Sequence, residues 1–356
     1  MPDIPASIAT FRTNPLRPGH NTSMATAAAP ATLLTLSAFT EAQTRIRGVV
    51  LHTPLVRLAL PAFAPAEVWI KAESLQPIGA FKIRGAYNKI AQLTPEERSR
   101  GVITYSSGNH AQGVAYAARA VGAKAVIVMP SNAPEVKKRA TAALGAEIVE
   151  VGPASSDRLR KAEELQAAHG YIMIPPYDDD QIIAGQGTCG LEILEDLPDI
   201  DLVLSPVSGG GLLSGVATAI KLSRPDVRVI GVEPELAADA QESFRAGHVV
   251  TWPADMTTRT MCDGLRTQSL GERNFEHIRT YVDDIVTVTE AEIRAAMRAL
   301  VHSARLTPEP SGACSAAGIL FHRDQLLPFN KVAVILSGGN VEPEVLQSVL
   351  AEKDPQ

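Results

Sequence analysis

The sequence predicts an α/β protein built on parallel sheets, and three observations carry that expectation. Short apolar runs alternate with helical stretches along most of the chain, the pattern of strands joined by crossover helices. Apolar residues make up 45% of the 356 positions and aromatics only 4%, so a large core must be packed from Ala, Val, Ile and Leu. Three of the apolar runs end in a Ser/Gly turn, at Ser106–Asn109, Ser208–Gly211 and Ser337–Asn340. Such turns fall at the carboxyl ends of strands, where open α/β sheets hold their ligands.

In chain order, residues 1–35 are rich in Ala, Thr and Pro, carry few charges and follow no period, so they read as a disordered tail. Met24 offers an alternative start within it. SAFTEAQTRIRGVV reads as an amphipathic helix, GVITYS as a strand, GNHAQGVAYAARAVG as a helix and AVIVMP as the next strand. PEVKKRATAALG then reads as a helix and AEIVEV as a strand. A second series runs from the strand DLVLSPV through the helix GGGLLSGVATAIKLS to the strand VRVIGVEP. KVAVILS is the last strand.

Length alone allows two or three domains. Thirty-three basic residues against 39 acidic ones leave a net charge of −6, which excludes the basic footprint of a nucleic-acid binder. No run of 18 apolar residues suggests a membrane span. Cys189, Cys262 and Cys314 form neither a CxxC motif nor a disulfide framework, and the expectation is reduced thiols in a cytoplasmic protein.

The chemistry gathers at a few motifs. In SGGGLLSG, glycines bring backbone N–H groups close to a ligand, and the following helix points its positive end at the same place. This suits a phosphate monoester, since the turn fits neither GxxxxGK[ST] nor GxGxxG; by itself it also fits a merely tight strand–helix connection. Lys82 lies between Phe81 and Ile83, where desolvation would lower its proton affinity and free the amine as a nucleophile. A snorkelling surface lysine is the alternative. SSGNHAQG offers hydroxyls, an amide and N–H groups for a carboxylate, or ordinary helix capping by Ser106 or Ser107.

Taken in order, PIGAFKIRGA, SSGNHAQG, PVSGGGLLSG, MTTRTMCDGLRT, EPSGA and LSGGN resemble the fold-type II pyridoxal-phosphate enzymes. The resemblance is greatest to threonine/serine dehydratase and serine racemase, with hydroxyaspartate dehydratase nearby, and covers roughly residues 40–350. It implies a tryptophan synthase β-like fold, with two open twisted sheets flanked by helices and the cofactor in the interdomain cleft. The large domain would comprise residues 36–100 and 179–352, and the small domain residues 101–178.

The same resemblance implies the roles of individual residues. Lys82 would hold the cofactor as a Schiff base and then shuttle protons, with Phe81 beside the ring and Asn109 on its 3′-oxygen. Ser208, Gly209, Gly210, Gly211 and Leu212 would cradle the phosphate. Ser337 would meet the pyridine nitrogen, where a neutral hydroxyl makes the ring a weaker electron sink than a carboxylate would. Ser106, Ser107, Asn109 and His110 would surround the substrate carboxylate, and Ser107 falls where serine racemases place a second acid/base. Glu233, the Ala237 carbonyl and Asp239 would bind Mg²⁺ or Ca²⁺ as hard oxygen ligands. Arg158 or Arg266 would grip a second carboxylate on an acidic substrate, the alternative for each being a structural ion pair. Ala80 departs from the usual Ser-Phe-Lys and removes a hydroxyl near the cofactor.

The implied reaction is β-elimination from a 3-hydroxy-L-amino acid, threonine or serine first, giving a 2-oxo acid and ammonia. 3-Hydroxyaspartate dehydration and serine racemisation are the alternatives. A non-catalytic small-ligand-binding protein is the alternative of another class, while a nicotinamide oxidoreductase would need the GxGxxG that the chain lacks. The resemblance suggests a homo-oligomer, dimer or tetramer, and from the short stretch after LSGGN the expectation is a catabolic or racemase-like enzyme without the C-terminal regulatory domain that responds to isoleucine.

Overall fold

The computed structural model describes residues 32–60, 63–106, 108–133, 135–152 and 155–352. Of the expected tail, residues 1–35, all but residues 32–35 lie outside the described residues, and the first helix is Leu36–Ile46. From Leu33 onward the chain forms one compact unit.

Its strands are β1 (Leu55–Arg57), β2 (Glu67–Ala72), β3 (Val102–Tyr105), β4 (Ala125–Pro130), β5 (Glu147–Val151), β6 (Ile172–Met173), β7 (Leu202–Pro206), β8 (Arg228–Pro234), β9 (Asp284–Val288) and β10 (Lys331–Leu336). They make two sheets. One has six strands in the order β1-β2-β10-β7-β8-β9, parallel except where β1 runs against β2. The other has four parallel strands in the order β5-β4-β3-β6.

Near-continuous apolar runs are what a parallel sheet covered on both faces requires. All six residues of β4 are buried, as the run AVIVMP demands. Alternation divides each strand between two cores. Val332, Val334 and Leu336 of β10 join Leu202, Leu204, Ile230 and Val232 on one face of the larger sheet. Ala333 and Ile335 join Val203, Val229 and Ile285 on the other. The smaller sheet does the same, with Val102, Ile127 and Met129 on one face and Ile103, Val126 and Val128 on the other.

The helices that follow the Ser/Gly turns are Asn109–Ala120 and Gly211–Ser223. A 17-residue helix, Asp180–Asp196, had no separate signal in the strand–helix alternation. The Asp179 side chain starts it by accepting from the N–H groups of Gln181 and Ile182. Among the described residues no helix is long and apolar enough to cross a membrane. The three cysteines are free and buried.

Candidate active site

Lys82 precedes the helix Ile83–Ile90 and is half-buried. Its Nζ donates to the Pro176 carbonyl at 2.6 Å and stands 5.2 Å from the centre of the Phe81 ring. Burial pushes the amine down to about 8 from an ordinary 10.5. The apolar neighbours Phe81 and Ile83 had announced that environment. The next residue after Pro176 carries the line onward: a Cβ at Gly209 would lie 2.6 Å from the Tyr177 ring. Thus one short segment, Pro176–Tyr177, touches the lysine and the glycine turn together.

That turn has an unusual backbone. Ser208 (φ +59°) and Gly210 (φ +94°) both lie in the left-handed region, and a Cβ at Gly210 would also press on Asn274 and Ile278 at 2.9 Å. The turn is tied from behind. Asn274 Nδ2 and the Gly271 N–H both donate to the Gly209 carbonyl, at 2.9 and 3.1 Å, and the hydroxyls of Ser208 and Thr267 meet at 3.2 Å. It leads straight into the helix Gly211–Ser223, while the Leu212 side chain is buried in the core. Backbone N–H groups at such a helix start favour an anionic group.

The last Ser/Gly turn closes on the same place. The Phe81 N–H donates to the Ser337 carbonyl at 3.0 Å, Ala80 bridges to Gly338, and Ser337 is buried. Asn109 accepts from Asn340 Nδ2 at 2.8 Å and donates through Nδ2 to Glu309 Oε1 at 2.6 Å. Lys82, Phe81, Asn109, the Ser208–Gly211 turn and Ser337 are therefore brought together from segments far apart in the chain.

Other expected residues are placed differently. Ser107 lies outside the described residues, and Ser106 Oγ accepts from the Gly108 N–H at 3.4 Å. His110 is buried with Nε2 3.0 Å from the Ile174 carbonyl; burial and the nearby Lys82 charge push it down to about 3, so the ring is neutral and turned to the backbone. Arg158, in the helix Ser155–His169, is partly buried beside Tyr105. Tyr105, Pro176, Tyr177, Leu270 and Gly271 help to line a cavity of about 320 Å³. Arg266 donates through Nε and Nη2 to the Thr260 carbonyl, at 3.0 and 2.6 Å.

Glu233 and Asp239 are both buried, and Ala237 is buried in the turn between them. Glu233 accepts from the N–H groups of Gln241 (3.0 Å) and Ala240 (3.4 Å), but neither Asp239 oxygen has a partner. Burial and the Asp239 charge hold Glu233 well above the usual carboxylate range, and burial pushes Asp239 up to about 7. Among the described residues no three His, Cys, Asp or Glu side chains cluster as metal ligands, so any ion would rely on backbone or water oxygen as well.

Residues 46–338 match the family described as pyridoxal-phosphate dependent enzyme. The chain belongs to that family. The pyridoxal-phosphate enzyme is 42% identical over 315 residues to the L-threo-3-hydroxyaspartate ammonia-lyase of Saccharomyces cerevisiae, covering 88% of this chain and 95% of the yeast protein. It is also 42% identical over 304 residues to the catabolic L-threonine dehydratase of Escherichia coli, covering 85% and 92% of the two chains. Its fold matches that of maize serine racemase with a TM-score of 0.85 at 37% identity, over 89% of this chain and 97% of the other. The observed residues fit the cofactor: a half-buried amine of lowered proton affinity, a glycine cradle at a helix start, an amide and a neutral hydroxyl.

Pro176, Tyr177, Asn274, Glu309 and Asn340 were not singled out from the sequence. Glu309 and Asn340 stood inside EPSGA and LSGGN, so their motifs were visible while their contacts were not. Pro176 and Tyr177 meet their partners across gaps of 94 residues and 32 residues, which no local pattern encodes.

Proposed function

We propose that this pyridoxal-phosphate enzyme is an ammonia-lyase that eliminates the β-hydroxyl of L-threonine or L-serine, releasing a 2-oxo acid and ammonia. The observation that carries the reading is the half-buried Lys82 amine, lowered to about 8, joined through Pro176–Tyr177 to the glycine turn. The ammonia-lyase and dehydratase relatives at 42% identity support the reaction class. Pyridoxal phosphate, when bound, supplies an electron sink for negative charge at the substrate's α-carbon.

The chain's own residues do the rest. The Lys82 amine would hold the cofactor and, once displaced by the substrate's own amine, would be free to take the α-proton, for which a base that is neutral in useful amount near pH 8 is suited. Ser208–Leu212 would bind the phosphate through backbone N–H groups, Phe81 would flank the ring, and Asn109 and Ser337 would hold its oxygen and its nitrogen. Ser106, Ser107, Asn109 and His110 would surround the substrate carboxylate. His110 donates its Nε2–H to the Ile174 carbonyl, which leaves the buried Nδ1 as an acceptor with no partner among the described residues. Hydroxyaspartate is the second substrate reading, favoured by Arg158 beside Tyr105 at the edge of the cavity. Serine racemisation by Ser107 is the third.

The four-stranded sheet with residues 101–178 is proposed as the small domain, and residues 36–100 with 179–352 as the large one. Each sheet's own pair of cores supports this, although Ala86, Ile90 and Ile182 pack with the small sheet's core. Glu233, the Ala237 carbonyl and Asp239 are proposed to hold Mg²⁺ or Ca²⁺, supported by the unpartnered, buried Asp239 carboxyl. A dimer or tetramer is proposed as well; the half-exposed Leu51 and Leu75, on segments joined by the Gln76 side chain, are compatible with a contact between copies. Buried free thiols suit a cytoplasmic location.

Borohydride should fix the cofactor covalently to Lys82, as read by peptide mass. Lys82→Ala should abolish that label and lower turnover by about 10²–10⁴-fold. Ammonia and 2-oxo acid release from L-threonine, L-serine and L-threo-3-hydroxyaspartate, with chiral analysis of recovered serine, ranks the three readings. A protein that takes up no cofactor at Lys82 would refute all of them.

A further inference from the structure

Two motifs, EPSGA and LSGGN, contribute a side chain each whose work the proposed reaction does not explain. Glu309 stands at the start of the helix Pro310–Phe321 and is 2% exposed. Its N–H donates to the Gly338 carbonyl at 3.1 Å, and a Cβ at Gly338 would lie only 2.0 Å from its Oε1. Among the described residues this carboxyl has no direct cationic partner; its side-chain contact is the amide of Asn109 at 2.6 Å.

The hydrogen-bond sense along this chain is fixed at its far end. The Ile78 carbonyl can only accept, so Asn340 must present Nδ2 to it, at 2.8 Å. The same Nδ2 donates to Asn109 Oδ1 at 2.8 Å, which turns Asn109 Nδ2 toward Glu309. A carboxamide nitrogen carries two N–H bonds. Glu309 takes one and leaves one.

We propose that Glu309 is a positioning residue of the reaction: by accepting one N–H of Asn109 it locks that amide so that the second N–H serves the cofactor's ring oxygen. The proposal rests on the reading that Asn109 holds that oxygen. Glu309 is also placed to make the interaction respond to pH. Burial first, and then the Asp263 charge, push its carboxyl up to about 8, against the lowering influence of Asn109 and Lys137. Lys137, from the helix Glu135–Ala143, is itself paired with Asp263 in the turn Asp263–Leu265. Glu309 is therefore neutral at pH 7 and charged above about 8. The charge strengthens its grip on the Asn109 N–H as pH rises.

The test compares wild-type and Glu309→Gln holoenzymes, each saturated with pyridoxal phosphate, from pH 6 to 10. Glutamine keeps the volume and an acceptor oxygen but has no proton to lose. The expected result is a step near pH 8 in the bound cofactor's absorption in the wild type, absent from Glu309→Gln, with kcat lowered about tenfold and KM nearly unchanged. Glu309→Ala, which frees the amide, should lower kcat by about a hundredfold. Should the glutamine protein not fold, Glu309→Asp provides the second variant: a shorter carboxylate should move the step without removing it. Superimposable spectra and kcat–pH profiles for a variant and the wild type would overturn the proposal while leaving the lyase reading intact. Failure of the wild type to bind cofactor at Lys82 would overturn both.

Discussion

An amine that must give and take a proton near neutral pH cannot keep the proton affinity of a solvated lysine. In Lys82 burial makes the difference, bringing the amine to about 8. Protein freed of cofactor should therefore react with pyridoxal phosphate at a rate whose midpoint lies near pH 8, and a midpoint near the ordinary 10.5 would show a solvated side chain. Borohydride trapping followed by peptide mapping reads the rate at this position alone. The flanking Phe81 and Ile83 made the lysine's setting legible from sequence. Its hydrogen-bond partner was not legible, because Pro176 enters from a connection 94 residues away. The same limit applies to His110. The motif put it at the right helix start, but only the fold shows its ring bonded to Ile174.

At the scale of elements, the glycine turn and its helix were legible because local chemistry dictates them: only Gly takes φ near +94° readily, as Gly210 does. The β8-to-helix connection was legible in a weaker way. Its acids could be named, yet their burial depends on what packs around them. Asp239 opens the helix Asp239–Ala246, and two buried carboxyls so close are costly without a cation. Added Ca²⁺ or Mg²⁺ should raise the thermal midpoint of the wild-type protein, by an amount equivalent to about 2.7 kcal/mol at a hundred times the dissociation constant. Asp239→Asn should be insensitive to both the ion and its chelator. Equal response of the two proteins in a melting experiment would remove the ion from this connection.

Across the whole molecule, distant segments meet on one buried guanidinium. Arg84, two residues after Lys82, is fully buried and pairs with Glu73 and Glu192 through contacts of 2.7 Å, while Lys71 meets Glu192 at the same distance. Burial, the largest single influence, would raise the Glu73 carboxyl, but Arg84, Lys71 and the Thr53 hydroxyl together hold the group below its usual value of 4.5. That stabilisation is present above about pH 4.5 and is lost as pH falls through the lower folded value. Arg84→Ala would leave the buried Glu73 without its paired cation and Glu192 with Lys71 alone, and should cost about 3–5 kcal/mol in urea unfolding at pH 7. A much smaller loss would show that water reaches the network. The alternating pattern of short apolar runs revealed the parallel sheets, but neither strand order nor this ion network is written locally.

Strand order has a consequence for how the enzyme comes into being. β10, the last strand in the sequence, lies between β2 and β7, and the Ser337–Asn340 turn leaves its end to meet Ala80, Phe81 and Asn109. A growing chain on the ribosome thus exposes its lysine and its glycine turn long before the piece that completes their surroundings is made. A chain cut short before β10 would lack the Ser337–Asn340 turn and its contacts with Ala80, Phe81 and Asn109, and is expected to leave the site incomplete.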